Sequence, residues 1–425
     1  MKREKEKKEK TLPDPGSDQK PIFSEKKNVL RLVGFLIAFF IAVGSITFGV
    51  VQCGRKSPGW QEVAARPDGD LPFFASGIHL NFYFEGSSNR IKSAMNTLAN
   101  DYSALLKQSY RWFDSVNTYP GVPNLASVNL QRGTAVMLDE PLFRALQDAA
   151  ERTARGEGYS LFAGPLIQIR DQLLYANEPG PLDPLNNEEL AEQIRQLDRV
   201  IRENPGELVL DAEQRTATLL LSDEYAALLE AYGMTDSPVI DLGVLADAYR
   251  VDHAAKELEA RGYGKGYLST DTGMTRPLSG WEAADSEYCL YSMAQNGTRE
   301  VSATKAAVAG TAACCFRAFA LSEEEYGFYT LQTAGKTVWR NPFQNAFPAE
   351  QPLLSVLVVT GDRDVVGAAY LCACLMAQTG TDAAVSLAKN ATAAWILDLN
   401  DGKAELSLSD LTGVQTLAGY ETVLP

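Results

Sequence analysis

The sequence predicts an α+β protein, a single large domain placed after an N-terminal transmembrane helix. Three observations predict it: one long uncharged run near the N-terminus, amphipathic helical segments interleaved with β-branched strand segments, and no internal repeat or compositional break after residue 70. With 425 residues, 45% of them hydrophobic and 22% charged, the chain is long enough for a substantial core. Four spans follow: a basic cytoplasmic tail (1–31), the membrane helix (32–51), a linker (52–71) and the folded domain (72–425).

The tail holds ten Lys/Arg against six Asp/Glu and almost no apolar residue before Ile22, so it is expected to be disordered. Residues 32–51, LVGFLIAFFIAVGSITFGVV, carry no charge. At helical rise they reach about 30 Å, the hydrocarbon thickness of a bilayer. Lys26, Lys27 and Arg31 outweigh Arg55 and Lys56 across this run, which places the N-terminus in the cytoplasm and residues 57–425 outside. A cleaved signal peptide fits less well, because the run is long and no small-x-small site follows it. The residues before Cys53 do not form a lipobox. The Gly-, Pro- and charge-rich stretch that follows reads as the linker.

IHLNFYF, within 72–85, alternates as a strand. Residues 90–112 repeat apolar side chains at helical spacing: Ile91, Met95, Leu98, Tyr102, Leu105 and Leu106. A second helix is expected over 140–154, with Pro141 in its first turn. NEPGPLDPLNN (177–187) is a loop whose Asn187 caps a helix running to Glu203. ELVLD and TATLLLS then read as a hairpin. A strand, glycine turn and helix occupy 238–262, closed by Gly262. Later come a strand (353–360), helices (365–378 and 381–389) and strands near 394–399 and 404–409.

A net charge of −15 argues against a nucleic-acid partner, whose phosphates need a basic face. Of the six cysteines, Cys289, Cys314, Cys315, Cys372 and Cys374 lie beyond the membrane run, in settings that suit small apolar packing. Disulfide connectivity is not legible. The two histidines, His79 and His253, lie at no metal-ligand spacing from a cysteine pair.

Several phrases stand in an order that resembles the FAD:protein FMN transferases (the ApbE-like family). The family pattern DLGGIAKGYAVD aligns without gaps to Asp241–Asp252, matching at Asp241, Leu242, Gly243, Ala246, Tyr249, Val251 and Asp252. Upstream, Tyr110–Asp114 is similar to its S-R-[FY]-D, Asn124–Asn129 to S-x-L-x-x-L-N, and Gly158–Leu166 to G-x-F-D-P-T-V-G-P-L. The likeness spans about residues 72–400. It implies the family's α+β fold, with Asp241, Gly243, Tyr249 and Asp252 on the cofactor side. It also implies the family's activity, in which magnesium assists the splitting of FAD and the attachment of FMN to a Ser or Thr of an extracytoplasmic target.

The residues that this chemistry needs are replaced. Asp247 stands at the family lysine position, where a cation would neutralise phosphoryl oxygens. The helix pattern A-D-A-L-[AS]-T-A-L aligns to Ala368–Leu375, which places Ala369 and Ala373 at the metal-ligand positions, neither with a side-chain oxygen. Asp362 and Asp364 precede that helix and read as a solvated turn. Ala75-Ser76-Gly77 replaces M-G-T, Ser269–Thr272 replaces N-L-G-G, Ser160 replaces the acid of F-D-P-T, and Val338–Pro342 replaces H-x-x-D-P. Asp410–Gly413 is one residue short of a flavin acceptor motif and reads as a turn. The expectation is a membrane-anchored extracytoplasmic protein that binds rather than catalyses, at a flavin-linked membrane redox complex or an active flavin transferase. Two alternatives stay open: a working transferase holding FAD and magnesium through relocated ligands, and a structural cell-envelope protein without flavin.

Overall fold

The computed structural model describes residues 56–66, 77–281, 286–293, 299–323, 325–333, 336–344, 347, 353–378, 384, 386–387, 393–400, 403–408, 414–416 and 421–423. The expected tail, membrane helix and both ends of the linker (52–55 and 67–71) lie outside the described residues. So do Ala75, Ser76, the turn at 410–413 and most of the helix expected at 381–389. No helix among the described residues is long and apolar enough to cross a membrane. The chain divides into Met1–Ser57 and Pro58–Pro425, and every element below belongs to the second unit.

Along the chain come β1 (Gly59–Val63), β2 (Ile78–Phe84), α1 (Ser88–Phe113), α2 (Leu125–Leu130), β3 (Val136–Met137), α3 (Glu140–Ala154) and α4 (Gly164–Leu174). Next are α5 (Glu188–Glu203), β4 (Gly206–Asp211), β5 (Thr216–Leu221), α6 (Asp223–Ala231), α7 (Leu245–Ala260), β6 (Gly266–Thr270) and β7 (Met274–Pro277). Then follow β8 (Glu287–Met293), β9 (Arg299–Ala306), β10 (Ala312–Arg317), β11 (Tyr329–Thr333), β12 (Lys336–Arg340), β13 (Leu353–Thr360) and α8 (Val365–Met376). β14 (Ala393–Asn400), β15 (Lys403–Leu408), β16 (Val414–Thr416) and β17 (Glu421–Val423) complete the order.

A nine-stranded sheet, β1-β2-β6-β7-β10-β13-β14-β15-β17, organises the unit. Its pairs are antiparallel except β15 with β17. β10 and β13 lie at its centre, which is why AACCFR and LLSVLVV are apolar throughout rather than alternating: both faces are covered. Their side chains alternate between two cores. Cys314, Phe316, Val356 and Val358 join the larger core with α1, α7 and α8, while Ala313, Cys315, Leu357 and Val359 join a smaller one with Trp281, Tyr288 and Leu290.

Most helices take the faces and caps that their sequences dictate. α1 buries Ile91, Leu98, Tyr102, Leu105, Ser109 and Trp112, one stripe at helical spacing. The Asn187 side chain accepts from Leu190 N at 3.1 Å and starts α5, while Gly262, at φ +88°, follows the last turn of α7. Two expectations are corrected. The linker expected over 52–71 contains a strand, β1, because Gly59–Val63 pairs along the outer edge of β2. The strand expected before α7 does not form. The backbone N–H groups of Val239 and Ile240 instead donate to the Asn129 side-chain oxygen, at 3.0 and 2.8 Å, so an amide replaces a partner strand.

Candidate functional site

The segment with the strongest likeness to the transferases enters α7 through a tight turn. Gly243 sits at φ +52°, a conformation that a side chain disfavours, and a Cβ there would approach Ile167 to 3.3 Å. Asp241 accepts from Ser115 Oγ at 2.6 Å and from Gly243 N at 2.7 Å, and desolvation pushes its carboxyl pKa upward. One of its oxygens is spent on the turn and the other on Ser115, just past α1.

Asp247 follows in the first turn of α7, where a carboxylate favours the helix dipole. Arg250 pairs with it at 2.8 Å and Thr272 donates to it at 3.1 Å. The Arg250 guanidinium in turn lies 5.2 Å from the Tyr110 ring centre and 5.8 Å from that of Phe113. A phosphate placed here would meet a carboxylate that already holds its own cation.

Tyr249 and Asp252 are equally committed. The Tyr249 ring stacks on Phe113 at 5.9 Å, and its hydroxyl donates to Asp148 at 2.7 Å beside the Tyr370 hydroxyl at 3.2 Å. Asp252 pairs with Lys256 at 2.6 Å and with the nearly buried Arg276 of β7 at 3.1 Å. Arg276 also reaches Glu259 at 3.2 Å, tying α7 to the sheet.

α8 packs against β10, β13 and α7. Its Ala369 and Ala373 are both fully buried, so the two positions aligned to metal ligands are core positions without an oxygen. Its neighbour Tyr370 is also buried and closes against Gly158, where a Cβ would lie 2.5 Å from the Tyr370 ring. The Arg152 guanidinium covers the same ring at 4.8 Å. Gly158 N donates to Cys374 Sγ at 2.7 Å, which fastens the 158–163 stretch to α8. Asp364 caps α8 by accepting from Gly367 N at 2.8 Å, and Asp362 occupies the preceding turn at φ +52°. Tyr159 donates to the Phe343 carbonyl, and Asn341 accepts from Phe343 N at 3.0 Å. Next to Gly158 opens a cavity of about 870 Å³ lined by Ser160, Phe162, Leu166, Gln344, Phe347 and Met376. Of the aligned positions Ser160 lines it, whereas Asp241, Gly243, Asp247, Tyr249, Asp252, Ala369 and Ala373 do not.

The tertiary structure therefore gathers phrases that lie far apart in sequence: the 158–163 stretch, the start of α7, the 269–272 turn, the 341–343 stretch and α8. The side chains now at those positions do not fit magnesium with a diphosphate. The aligned lysine position is acidic, the aligned ligand positions are buried alanines, and no group of three or more His, Cys, Asp or Glu among the described residues is arranged to hold a metal ion.

One cluster was not legible in sequence. His79 on β2 bridges Glu62 on β1 at 3.1 Å and Asp271 at 2.9 Å. The bond to Asp271, seconded by Glu62, pushes the imidazole up to about 9, so it is a charged tie at neutral pH. Its partners are 17 and 192 residues away, and Glu62 fell in the expected linker. The other histidine, His253, is held below its ordinary pKa by burial and packs edge-on to Trp112 at 5.1 Å.

A nine-stranded sheet backed by α7 and α8, with the glycine turn and the aligned phrases facing one another, defines a flavin-transferase-type fold. Comparison with solved structures agrees. The chain is similar to the flavin transferase ApbE from Vibrio cholerae, with a TM-score of 0.53 and 13% identity over 83% of this chain and 98% of that one. It is also similar to the ApbE protein from Thermotoga maritima (0.51, 16% identity, 78% and 93% covered) and to the Pseudomonas stutzeri flavinyl transferase ApbE in its apo form (0.53, 15%, 84% and 96%). The protein thus has an ApbE-like fold. No protein-family model matches the chain, and no curated protein does.

Proposed function

We propose that this chain uses the ApbE-like fold as a binding or accessory protein of a flavin-linked membrane redox system, anchored by residues 32–51 with the fold outside the cytoplasm. The partner is a flavinylated membrane complex or an active flavin transferase. One observation carries the reading: the positions at which phosphoryl transfer would need a cation and oxygen ligands hold Asp247, already paired with Arg250, and the fully buried Ala369 and Ala373. Without cations at the diphosphate, the charge that develops during transfer has no stabilising partner.

The test uses the compact unit Pro58–Pro425, titrated with FAD in the presence and absence of magnesium while flavin fluorescence is followed. Flavin binding that ignores magnesium, with no AMP released when a Ser/Thr acceptor protein is added, is the expected result. Magnesium-dependent binding with AMP release and FMN left on the acceptor would sink the reading in favour of a working transferase. No flavin binding at all would move the role to the cell envelope alone.

A further inference from the structure

β1 is the terminal strand of the nine-stranded sheet, and its burial alternates: Val63 joins the larger core while Trp60 and Glu62 face water. β2 alternates to match, with Leu80 and Phe84 inward and Tyr83 outward. Trp60 and Tyr83 are directly opposed across the pair, so both rings stand on one face. They meet edge to face at 5.6 Å, and Trp60 leans on Tyr267 at 5.7 Å. Among the described residues the smaller core covers this sheet face as far as Tyr267 and leaves the two outer rings bare, Trp60 at 47% and Tyr83 at 37% exposure.

The outward face of an antiparallel edge is ordinarily polar, because a ring turned to water gains nothing from burial. Trp and Tyr each join an apolar body to a polar tip, the combination that settles at a membrane–water boundary. The carboxylates beside them are already answered, Glu62 by His79 at 3.1 Å and Glu85 by Lys265 at 2.8 Å, which lowers the cost of bringing lipid close. Chain length then favours lipid over another occupant. Trp60 follows Val51, the last residue of the uncharged run, by nine positions. Even fully extended, those positions reach only about 30 Å, so a chain anchored by that run holds Trp60 within this distance of the bilayer.

We propose that Trp60 and Tyr83 dock on the lipid–water boundary of the membrane, a second contact that lays the β1 edge of the sheet against the outer leaflet. The contact rests on the anchoring proposed for residues 32–51 and is independent of whether transfer chemistry is lost.

Tryptophan emission of the full-length protein in phosphatidylcholine nanodiscs, with and without brominated acyl chains, tests the contact. The Trp60 signal is the difference between the wild type and Trp60→Phe. It is expected to be blue-shifted, to lose most of its intensity in brominated lipid and to resist iodide added to the water. Tyr83→Trp, compared with the wild type, adds a reporter on the neighbouring strand that should behave alike, and it keeps the test valid if Trp60→Phe misfolds. Emission from both positions that is red-shifted, open to iodide and indifferent to brominated lipid overturns the proposal and leaves the rings to a soluble partner. Washing proteoliposomes with alkaline carbonate separates this failure from that of the anchor. Protein that stays with the bilayer while Trp60 remains in water refutes the docking alone, whereas protein released by carbonate refutes the anchor and the docking with it.

Discussion

At the start of α7, the residue standing at the transferase lysine position is charged, partly reached by water and answered by Arg250 and Thr272. On α8, the residues standing at the two metal-ligand positions are alanines closed off from water. The first region keeps the polarity of a site but spends it internally; the second has none left to spend. The residues that match the transferase pattern show a related division. Asp241 holds the turn, Tyr249 joins Asp148 beside Tyr370, and Asp252 braces Arg276. Each match serves the fold, whereas the replaced positions are those that no internal contact needs as Lys, Asp or Thr. Likeness in such a phrase is therefore evidence about architecture more than about chemistry.

The comparison breaks most sharply on α8. Ala369→Asp should cost about 3–5 kcal/mol in chemical denaturation, because it strands a carboxylate in a packed core. Magnesium should not restore the loss; if it does, a metal position survives behind the alanine. Asp247→Lys should be far milder, near 1 kcal/mol, since it exchanges a partly exposed ion pair for a repulsion with Arg250. Equal losses in these two variants would mean that the regions do not differ as described. The smallest effect belongs to His79. Its folded pKa, near 9, stands above its ordinary 6.5, so its contribution is fully present below 6.5 and is lost as pH rises through 9. Solvent screening holds this to under about 1 kcal/mol. His79→Gln should flatten that part of the stability–pH curve, read from denaturant midpoints between pH 6 and 10.

Much of the fold was legible because local rules sufficed. The span of α3, the Asn187 cap, the β4–β5 hairpin and β13 all follow from periodicity, capping or continuous apolar runs. The missing strand before α7 was not legible, because VID carries strand propensity while the competing contact comes from Asn129, 110 and 111 residues away. β1 hid in a stretch rich in Gly, Pro and charge because an edge strand needs only one neighbour, and here β2 supplies it. At the site, the acidic and alanine substitutions were readable from the aligned phrases, but what surrounds them was not. Arg250 beside Asp247 follows from i,i+3 spacing on the helix, but neither Thr272 donating to Asp247 nor Tyr370 closing on Gly158 follows from any local pattern.

The sequence by itself determined the α+β class, the order of most elements and which transferase positions lack their chemistry, since these depend on spacing and side-chain identity along the chain. Only the tertiary structure decided that Thr272 also answers Asp247, that the α8 alanines are core and that His79 is a charged tie. Each of those turns on the desolvation and partners that distant residues supply, and these exist only once the chain has folded.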